Sequence, residues 1–443
     1  MIGNLVPMRR TTHGETRIFC LVEIGRMTGV LETPFRIEPC FYENDIPRGL
    51  ADLTTSIHAA AAVLGRGLHP HAASELAEFV RVMNCYYSNL IEGHDTRPKD
   101  IERALAGAEL DETRRPLALE ARAHVEVHRE IDALYLAGKL ASPTSTAFIQ
   151  WAHRRFYEAM PDTFRTVGLP GGRTGAVVPG AFRSRPDEDV VVGRHHPPSS
   201  EVVAPFMDYF AGRFGMAEAW PSVRLIAMAA AHHRLNNIHP FIDGNGRVSR
   251  LVSHAMALKS GIGAGGLWSI SRGLARGLKE RNEYKRMMDH ADTPRQGSRD
   301  GRGNLSEAAL REFCEWFLSV VLDQIQFTAA AFRLDTLESR YRKLLADLGY
   351  DARSGDLVST VIRYGEMERG KASFLLGTSE RTARTVVSRL VAGGFLKSGT
   401  PKSPVRVAFP LDYRDRLFPN LFADHWIDAP EPPAFRLGGR AAS

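Results

Sequence analysis

The sequence has little cysteine and no long hydrophobic run. Its 443 residues include four scattered cysteines with no CxxC pair among them: Cys20, Cys40, Cys85 and Cys314. This scatter excludes a disulfide scaffold and favours a reducing compartment. The most apolar stretches, such as that around Ile226 to Ala231, are broken by Arg or His well short of the roughly 18 residues that a membrane span requires. The N-terminus has no apolar core of signal-peptide length, so we expect a cytoplasmic protein with no membrane partner.

The chain also has only a small excess of charge of one sign. The 57 basic and 51 acidic residues give a formal net charge of +6, a mild excess that indicates an anionic partner without locating it. The hydrophobic fraction of 44% and the charged fraction of 24% are ordinary for globular proteins and exclude a disordered or collagen-like chain. At roughly 150 residues per domain, the length predicts two or three domains.

Helical periodicity dominates from about residue 50 onward. The clearest early helix, over residues 71–92, carries four apolar residues at helical spacing: Leu76, Phe79, Val80 and Met83. Gly93 is its natural stop, because glycine adopts the left-handed cap conformation without a Cβ clash. Further helices are predicted over eight segments: 98–107, 115–137, 144–158, 200–214, 220–236, 246–260, 270–290 and 306–330. A Gly/Pro-rich stretch, 168–199, interrupts the series, and its best strand signal predicts a short β-hairpin at Val190, Val191 and Val192, followed by Gly193.

The strongest signal is the loop HPFIDGNGRVSR, residues 239–250, which opens a predicted helix. Gly244 and Gly246 let the backbone approach closely, and the free N–H groups and the helix dipole favour an anion there. Arg247 and Arg250 are three apart, hence neighbours on one helix face, and both can reach phosphate oxygens.

Two further side chains add chemistry to this anion site. Asp243 is a hard oxygen ligand suited to Mg²⁺ that is bound mainly by phosphates. His239 can accept a proton near neutral pH. A base, a metal ligand, an anion cradle and two arginines together indicate a phosphate-transfer site.

These residues resemble the Fic (filamentation induced by cyclic AMP) family, whose motif H-x-F-x-[DE]-G-N-G-R-x-x-R is matched at every specified position. The resemblance implies an all-helical core and transfer of AMP from ATP to a protein hydroxyl. It implies that His239 deprotonates the target Ser, Thr or Tyr and that Asp243 holds Mg²⁺ on the phosphates. The other implied roles are an anion hole lined by Gly244, Asn245 and Gly246, and polyphosphate contacts from Arg247 and Arg250. The kinase-like branch of the family alters the Gly-Asn-Gly-Arg segment, so its retention here favours adenylylation.

Two more features fit the resemblance. The segment 190–193 lies where Fic proteins carry a β-hairpin flap that aligns the target main chain by strand addition. Tyr284 lies where the family often places an aromatic residue on the adenine side, although an aromatic residue on a helix is more often part of a core. His232 and His233 lack a third ligand at metal spacing, so we interpret them as helix residues that pack near the site.

The segment SNLIEG, residues 88–93, resembles the Fic inhibitory motif [ST]-x-x-x-E-[GN]. Ser88 and Glu92 are i and i+4 on one helix face. The resemblance implies that Glu92 pairs with Arg250 and competes there with the γ-phosphate of ATP. The related enzymes also leave open a second role for Glu92, in which it positions water to remove AMP from a modified target.

The character of the chain changes after about residue 335. Helices predicted at 335–348, 354–364, 370–376 and 380–392 precede two short strands, which resembles a helix-turn-helix with a wing. Residues 369–410 hold eight basic residues against one acidic residue, a net charge of +7 that exceeds the +6 of the whole chain. Three basic side chains would face DNA: Arg381, Arg384 and Lys402. Winged helices also serve as protein-docking or dimerisation modules, so both interpretations stay open.

The sequence therefore predicts a mainly α protein with a helical Fic core, a short β-hairpin flap and a C-terminal winged helix. The expected organisation has four parts: an N-terminal region with the inhibitory helix (1–110), the Fic core (111–331), the winged helix (335–412) and a tail (413–443). The expected function is an ATP- and Mg²⁺-dependent protein adenylyltransferase that modifies a target protein and itself. The alternatives are an enzyme that also removes AMP and a DNA-binding regulator whose core senses nucleotide. A homodimer is compatible with either.

Overall fold

The computed structural model describes residues 32–39, 46–94, 96–108, 115–160, 162–215 and 219–422. Cys20, Cys40 and most of the predicted C-terminal tail lie outside these residues, whereas Cys85 and Cys314 are buried free thiols. Among the described residues the protein is mainly helical. The helices of the larger unit are α1 Arg48–Val63, α2 Pro70–Ile91, α3 Pro98–Leu105, α4 Arg115–Leu136, α5 Thr146–Glu158, α6 Val203–Phe214, α7 Pro221–Ile238, α8 Asn245–Lys259, α9 Ile270–Arg276, α10 Glu283–Ala291 and α11 Glu307–Ala331.

The core forms around α7, which is apolar on nearly every face and is buried over most of its length. A helix without a polar face is stable only when other elements cover all of it. Helices α1, α6, α8 and α11 do so. The loop between α7 and α8, which carries the motif of residues 239–250, therefore starts and ends on well-packed helices.

The predicted helix over residues 270–290 is wrong, because the chain forms two helices there. α9 ends at Arg276, and Gly277 follows with a positive φ of 70°. A Cβ at this position would collide with the carbonyl oxygen of Glu280, so only glycine fits the turn. The carboxylate of Glu283 then accepts hydrogen bonds from the backbone N–H groups of Leu278 (2.6 Å) and Lys279 (3.1 Å), and α10 begins.

The β-hairpin in the 168–199 region lies earlier than predicted. Strands β1 (Thr166–Leu169) and β2 (Arg173–Ala176) pair antiparallel, whereas Val190 and Val191 form no strand. Val192 makes a single bridge with His195 across Gly193. The β-branched run has strand propensity, but proline residues lie close on either side of it, and proline cannot donate a ladder hydrogen bond.

The C-terminal module, residues 334–422, packs beside the larger unit. Its helices are α12 Leu334–Asp347, α13 Arg353–Tyr364, α14 Ala372–Leu376, α15 Glu380–Ala392 and α16 Arg414–Leu417. Its strands are β3 Glu366–Met367, β4 Leu396–Lys397 and β5 Val405–Val407, in the antiparallel order β3-β5-β4. The turn from α14 to α15 contains Gly377 in the left-handed conformation and the N-cap Ser379, as a helix-turn-helix requires.

No single helix among the described residues is both long and apolar enough to cross a bilayer. The consecutive helices α11 and α12 reach that length and composition only when they are taken together, and they meet at a bend of 54°.

The crossing of α9 and α11 provides a test of the packing. A Cβ at Gly273 would overlap the side chains of Val320 and Gln324, whereas a Cβ at Gly212 in α6 would meet no atom within 4 Å. We expect Gly273→Ala to lower the free energy of unfolding by about 1–3 kcal/mol through overpacking. Gly212→Ala should raise it by up to about 1 kcal/mol, because alanine favours a helix over glycine. Urea unfolding of both variants checks this, and equal stabilities would contradict the crossing geometry.

Candidate active site

His239 ends α7 in a strained conformation. Its φ of 50° and ψ of 60° are left-handed, which is unusual for a residue with a Cβ. Its backbone N–H donates to the carbonyl of Leu235 (3.0 Å), and its own carbonyl accepts a hydrogen bond from Nε of Arg183 (2.6 Å). Strain of this kind persists only where surrounding contacts hold it, and it is concentrated at functional sites.

Arg183 makes many of the hydrogen bonds that hold this conformation. Its side chain is 1% exposed and also donates to the carbonyls of Ile238 (3.1 Å) and Pro198 (2.6 Å) and to Oγ of Ser200 (3.0 Å). It thus ties the loop after α7 to the segment that follows Val192. The sequence analysis missed Arg183, because an isolated arginine 56 residues before the motif carries no local signal.

The rest of the loop is braced from inside. The Asn245 side chain accepts from the backbone N–H of Phe241 and donates to its carbonyl, both at 2.9 Å. The ring of Phe241 stacks on that of His153 at 3.8 Å, and Nε2 of His153 lies 3.2 Å from the carbonyl of Asp243. The amide side chain of Asn245 therefore holds the loop in shape, and only its backbone can line an anion site.

Asp243 and Arg247 belong to a buried network. Oδ2 of Asp243 accepts hydrogen bonds from the hydroxyl of Tyr157 (2.5 Å) and from Arg247 (2.9 Å). Arg247 also pairs with the buried carboxylate of Glu120, which in turn contacts Nδ1 of His94 at 3.0 Å. Sequence reasoning missed Tyr157 and Glu120, which lie far from the motif in the chain.

Burial and charge set the protonation states. Burial lowers the pKa of His239 to about 3, with Arg183 and His195 adding to the effect, so the imidazole is neutral at pH 7. Burial alone would raise the pKa of Asp243, but the charge of Arg247 and the hydrogen bond from Tyr157 outweigh it and lower the pKa. A neutral histidine and an ionised aspartate therefore face the same loop.

Arg250 is held by two residues of α2. Its Nε donates to Oγ of Ser88 (2.9 Å), and a terminal nitrogen donates to the carbonyl of Ser88 (3.2 Å) and to Oε1 of Glu92 (2.6 Å). The guanidinium is almost fully buried, whereas the Glu92 side chain is 30% exposed. This is the contact that the resemblance implies; its inhibitory effect stays a prediction.

The end of α2 places Glu92 at this position. Glu92 is the C-cap, and the next residue, Gly93, has a φ of 85°. Its N–H bonds to the carbonyl of Leu90 (3.1 Å), and the N–H of His94 bonds to that of Asn89 (2.9 Å), which together form a Schellman motif. The sequence predicted this helix end correctly because the capping signal is local.

The carboxylate of Glu92 also occupies the N-terminus of α8. A Cβ placed on Gly246 would overlap Oε1 of Glu92, so the carboxylate lies directly against this glycine. Burial would raise the pKa of Glu92, but Arg250 and Arg247 outweigh it and lower the pKa, so the group is an anion. Gly244 caps the helix with a φ of 84°. An anion thus already lies in the cradle that the sequence predicts for phosphate.

A broad cleft opens near the C-terminal end of α7, where His195 and Asp292 of its lining contact Asn237. It encloses about 750 Å³, and its lining includes Arg36, Arg194, His195, His196, Asp289 and Asp292. The turn that bridges Val192 to His195 forms one wall, and the polar segment after α10 forms the other. Arg194 reaches across to Asp289 at 2.6 Å.

Tyr284 is buried behind the site. Its hydroxyl lies 2.8 Å from Nε2 of His232, and its ring stacks against Trp316 at 6.2 Å. His232 also contacts Oγ of Ser253 (2.9 Å), and His233 contacts the carbonyl of Met288 (3.1 Å). These are packing contacts, as the sequence analysis expected for the two histidines, and the adenine contact of Tyr284 stays a prediction.

A second polar cluster joins His128, Asp132 and His254, whose ligand atoms lie within 4.8 Å of one another. The carboxylate of Asp132 is already bound by Arg81 (2.7 Å) and His254 (2.7 Å). The two imidazole rings stack at 3.9 Å. A metal ion lies in the plane of each imidazole ring that binds it. Two stacked rings lie in nearly parallel planes, so no position close to both rings lies in the plane of each. We therefore assign the cluster to packing between α2, α4 and α8.

Residues 143–257, which run from just before α5 nearly to the end of α8, match the model of the Fic/DOC family. The segment contains the whole loop of residues 239–250.

Relatives with the name protein adenylyltransferase Fic are similar over a longer stretch. The protein of Drosophila mojavensis is 27% identical over 210 residues, which cover 47% of this chain and 36% of that protein. The protein of Drosophila erecta is 30% identical over 211 residues, which cover 47% and 37%. The chain thus spans little more than a third of the length of these relatives.

Solved structures of a Fic family protein from Desulfovibrio desulfuricans G20 and of a Fic domain containing signaling protein from Bacteroides thetaiotaomicron align with TM-scores of 0.45 and 0.47, at 16% and 17% identity. The first alignment covers 84% of this chain and 99% of the other, and the second covers 63% and 95%.

The bracing role of Asn245 is directly testable. Asn245→Ala removes both hydrogen bonds and leaves the buried N–H and carbonyl of Phe241 without partners. We expect the free energy of unfolding to fall by about 2–4 kcal/mol, since each unsatisfied buried group costs about 1–3 kcal/mol. Chemical denaturation measures this. Asn236→Ala, which removes one half-buried local bond to the carbonyl of His232, serves as the control; equal losses in both variants would contradict the bracing role.

Proposed function

We propose that this protein is a protein adenylyltransferase that transfers AMP from ATP to a hydroxyl side chain of a target protein and of itself. The observation that carries the proposal is the Glu92 carboxylate, which lies against Gly246 and on Arg250. A carboxylate in this position is the chemical stand-in for a phosphate at a helix N-terminus. The match of residues 143–257 to the Fic/DOC family and the names of the relatives support the same reaction.

In the proposed reaction the target oxygen attacks the α-phosphorus of ATP. An oxygen–phosphorus bond forms, the bond between the α-phosphorus and the bridging oxygen breaks, and pyrophosphate leaves. His239 takes the proton of the hydroxyl, and the neutral imidazole is the form that can do so. A pKa of about 3 is low for a base, and the negative charge of the bound polyphosphate would raise it. Arg247 and Arg250 would stabilise the charge on the phosphates.

The residues present fit a magnesium ion bound mainly through phosphates. The Asp243 side chain is 40% exposed, and the hydrogen bonds that it accepts from Tyr157 and Arg247 both fall on Oδ2. One carboxylate oxygen is what Mg²⁺ usually takes from the protein when a nucleotide supplies the other ligands. When bound, the ion would neutralise charge on the α- and β-phosphates.

The proposed inhibition follows from competition for one guanidinium. A γ-phosphate that reached Arg250 would have to displace Glu92, whose charge-assisted contact is worth roughly 1.5–3 kcal/mol. ATP could still bind with its terminal phosphate elsewhere, in a pose unsuited to in-line attack. The cleft near the end of α7 has room for a target segment. The turn from Val192 to His195 leads into its wall, and Val191 and Val192 are exposed, which supports a docking role for Val190, Val191, Val192 and Gly193.

The inhibition predicts opposite effects for two substitutions. Glu92→Gly frees Arg250 and should raise labelling of the protein itself and of a target by roughly 10-fold or more, the equivalent of about 1.4 kcal/mol. His239→Ala removes the base and should abolish both. Incubation with Mg²⁺ and ATP labelled at the α-phosphate measures the two reactions.

The control is Glu126→Gly, which removes a half-exposed helical carboxylate that pairs with Arg122 on the same helix. It should label like the wild type. Equal labelling of the wild type, Glu92→Gly and His239→Ala would sink the proposal.

The C-terminal module favours a second function, binding to duplex DNA, which we propose on the basis of its charge pattern. Arg381 and Arg384 on α15 and Lys402 in the β4–β5 turn are exposed, and within the described part of the chain no ion pair engages them. Arg384 and Arg369 line a cleft of about 380 Å³ between α15 and this turn. Most other arginines of the module pair with carboxylates, so this face is its free positive surface.

The DNA proposal predicts a salt-dependent complex. Replacing Arg381 and Arg384 together by alanine should weaken duplex binding and make the slope of log affinity against log salt shallower by about 1–2. The control is the double variant Arg333→Ala/Arg353→Ala, which loses the same charge at two arginines that pair with neighbouring aspartates. Its DNA affinity and salt slope should change little. Fluorescence anisotropy across salt concentrations measures both. Absence of wild-type binding at low salt would reject the proposal and favour protein docking.

A further inference from the structure

The C-terminal module contacts the same helix that carries Ser88 and Glu92. At the start of α2, Lys397 of β4 pairs with Glu75 at 2.5 Å. At the far end of α2, residues 417–422 lie across the helix; we call this segment the strap. Because the module contacts both ends of α2, its position and that of the helix are coupled.

The strap is anchored through apolar side chains. Leu417, Phe418, Leu421 and Phe422 are all buried. Phe418 and Phe422 pack on Phe79 with ring centroids 4.9 and 5.3 Å apart, and Phe422 also packs on Tyr86 at 5.9 Å. The contacts therefore continue along α2 to the turn that precedes Ser88.

The strap backbone is anchored as well. The hydroxyl of Tyr87 donates to the carbonyl of Leu421 (3.1 Å), and Arg272 donates to the carbonyl of Asn420 (2.8 Å). Asn420 has a φ of 65°, so a sharp turn presents both carbonyls inward. Tyr87 is the residue next to Ser88, which binds Arg250. A chain of direct contacts thus runs from the strap to the Arg250 guanidinium.

We propose that the strap holds the last turns of α2 in the conformation that places Glu92 on Arg250, so that release of the strap relieves inhibition. The inference rests on the proposed inhibition by Glu92. It makes the C-terminal module a regulatory unit of the transfer reaction, because any partner that pulls residues 417–422 away from α2 also weakens the contact of Glu92 with Arg250.

Phe422→Ala tests this proposal. The Phe422 ring packs on Phe79 and Tyr86 of α2, and its other ring contact is with the Arg414 guanidinium. Self-labelling with α-labelled ATP should rise several-fold above the wild type but stay below Glu92→Gly. In the Glu92→Gly background, Phe422→Ala should add nothing. Phe374→Ala, at a 93% exposed position of the same module, is the matched control and should label like the wild type.

Hydrogen exchange separates failure of this inference from failure of the proposed function. In Phe422→Ala the amides of residues 86–92 should exchange faster than in the wild type, while those of α7 stay protected; this holds whether or not the protein transfers AMP. Unchanged exchange at 86–92, or a further rise of labelling in the double variant, would overturn the strap. If thermal melting shows that Phe422→Ala does not fold, Tyr87→Phe must give the same two results, because it removes the hydroxyl that bonds to the strap carbonyl of Leu421 and to Arg272, the second anchor of the strap.

Discussion

The arrangement of the site depends on one buried charge, the guanidinium of Arg250. Burying an arginine without an anion destabilises the fold, and removing the partner of a buried charge costs several kcal/mol of stability. Here Ser88 of α2 and Glu92 at the C-cap of α2 bind it, and Tyr284 also contacts it. Under the proposed inhibition, a phosphate of ATP would replace the Glu92 carboxylate on the same guanidinium.

A second arginine, Arg247, binds a different set of residues. Arg247 is bound by Asp243 of the loop, Glu120 of α4 and Tyr157 of α5. These partners hold Arg247 beside Asp243 without any contribution from Ser88 or Glu92, so the proposed exchange of anions at Arg250 would leave them in place. Arg183 holds the backbone at His239. The loop is therefore held at His239 and at Asp243 by two different buried arginines.

The parts of this picture that the sequence predicts are those with local signals. Helix ends such as Gly93 and the glycine-rich loop follow from spacing within a few residues. The pair Ser88 and Glu92 is implied by the resemblance of residues 88–93 to a short family motif. The one long helix expected over 270–290 failed because the collision that requires Gly277 involves a carbonyl three residues away, which periodicity does not register.

The contacts that the sequence could not reveal join distant segments. Tyr157 reaches Asp243 across 86 residues, and Tyr87 reaches the strap across 334. No pattern within either segment points to the other. The strand expected at Val190–Val192 failed for a related reason, since a strand needs a partner and the chain provides only the bridge to His195.

The central claim is that Glu92 and the terminal phosphates of ATP compete for Arg250. Isothermal titration of ATP and of AMP into the wild type and into Glu92→Gln tests it most directly, because AMP lacks the phosphates that would compete. The account predicts that Glu92→Gln tightens ATP binding about tenfold or more and leaves AMP binding unchanged. Equal changes for the two nucleotides, or no change for either, would contradict it.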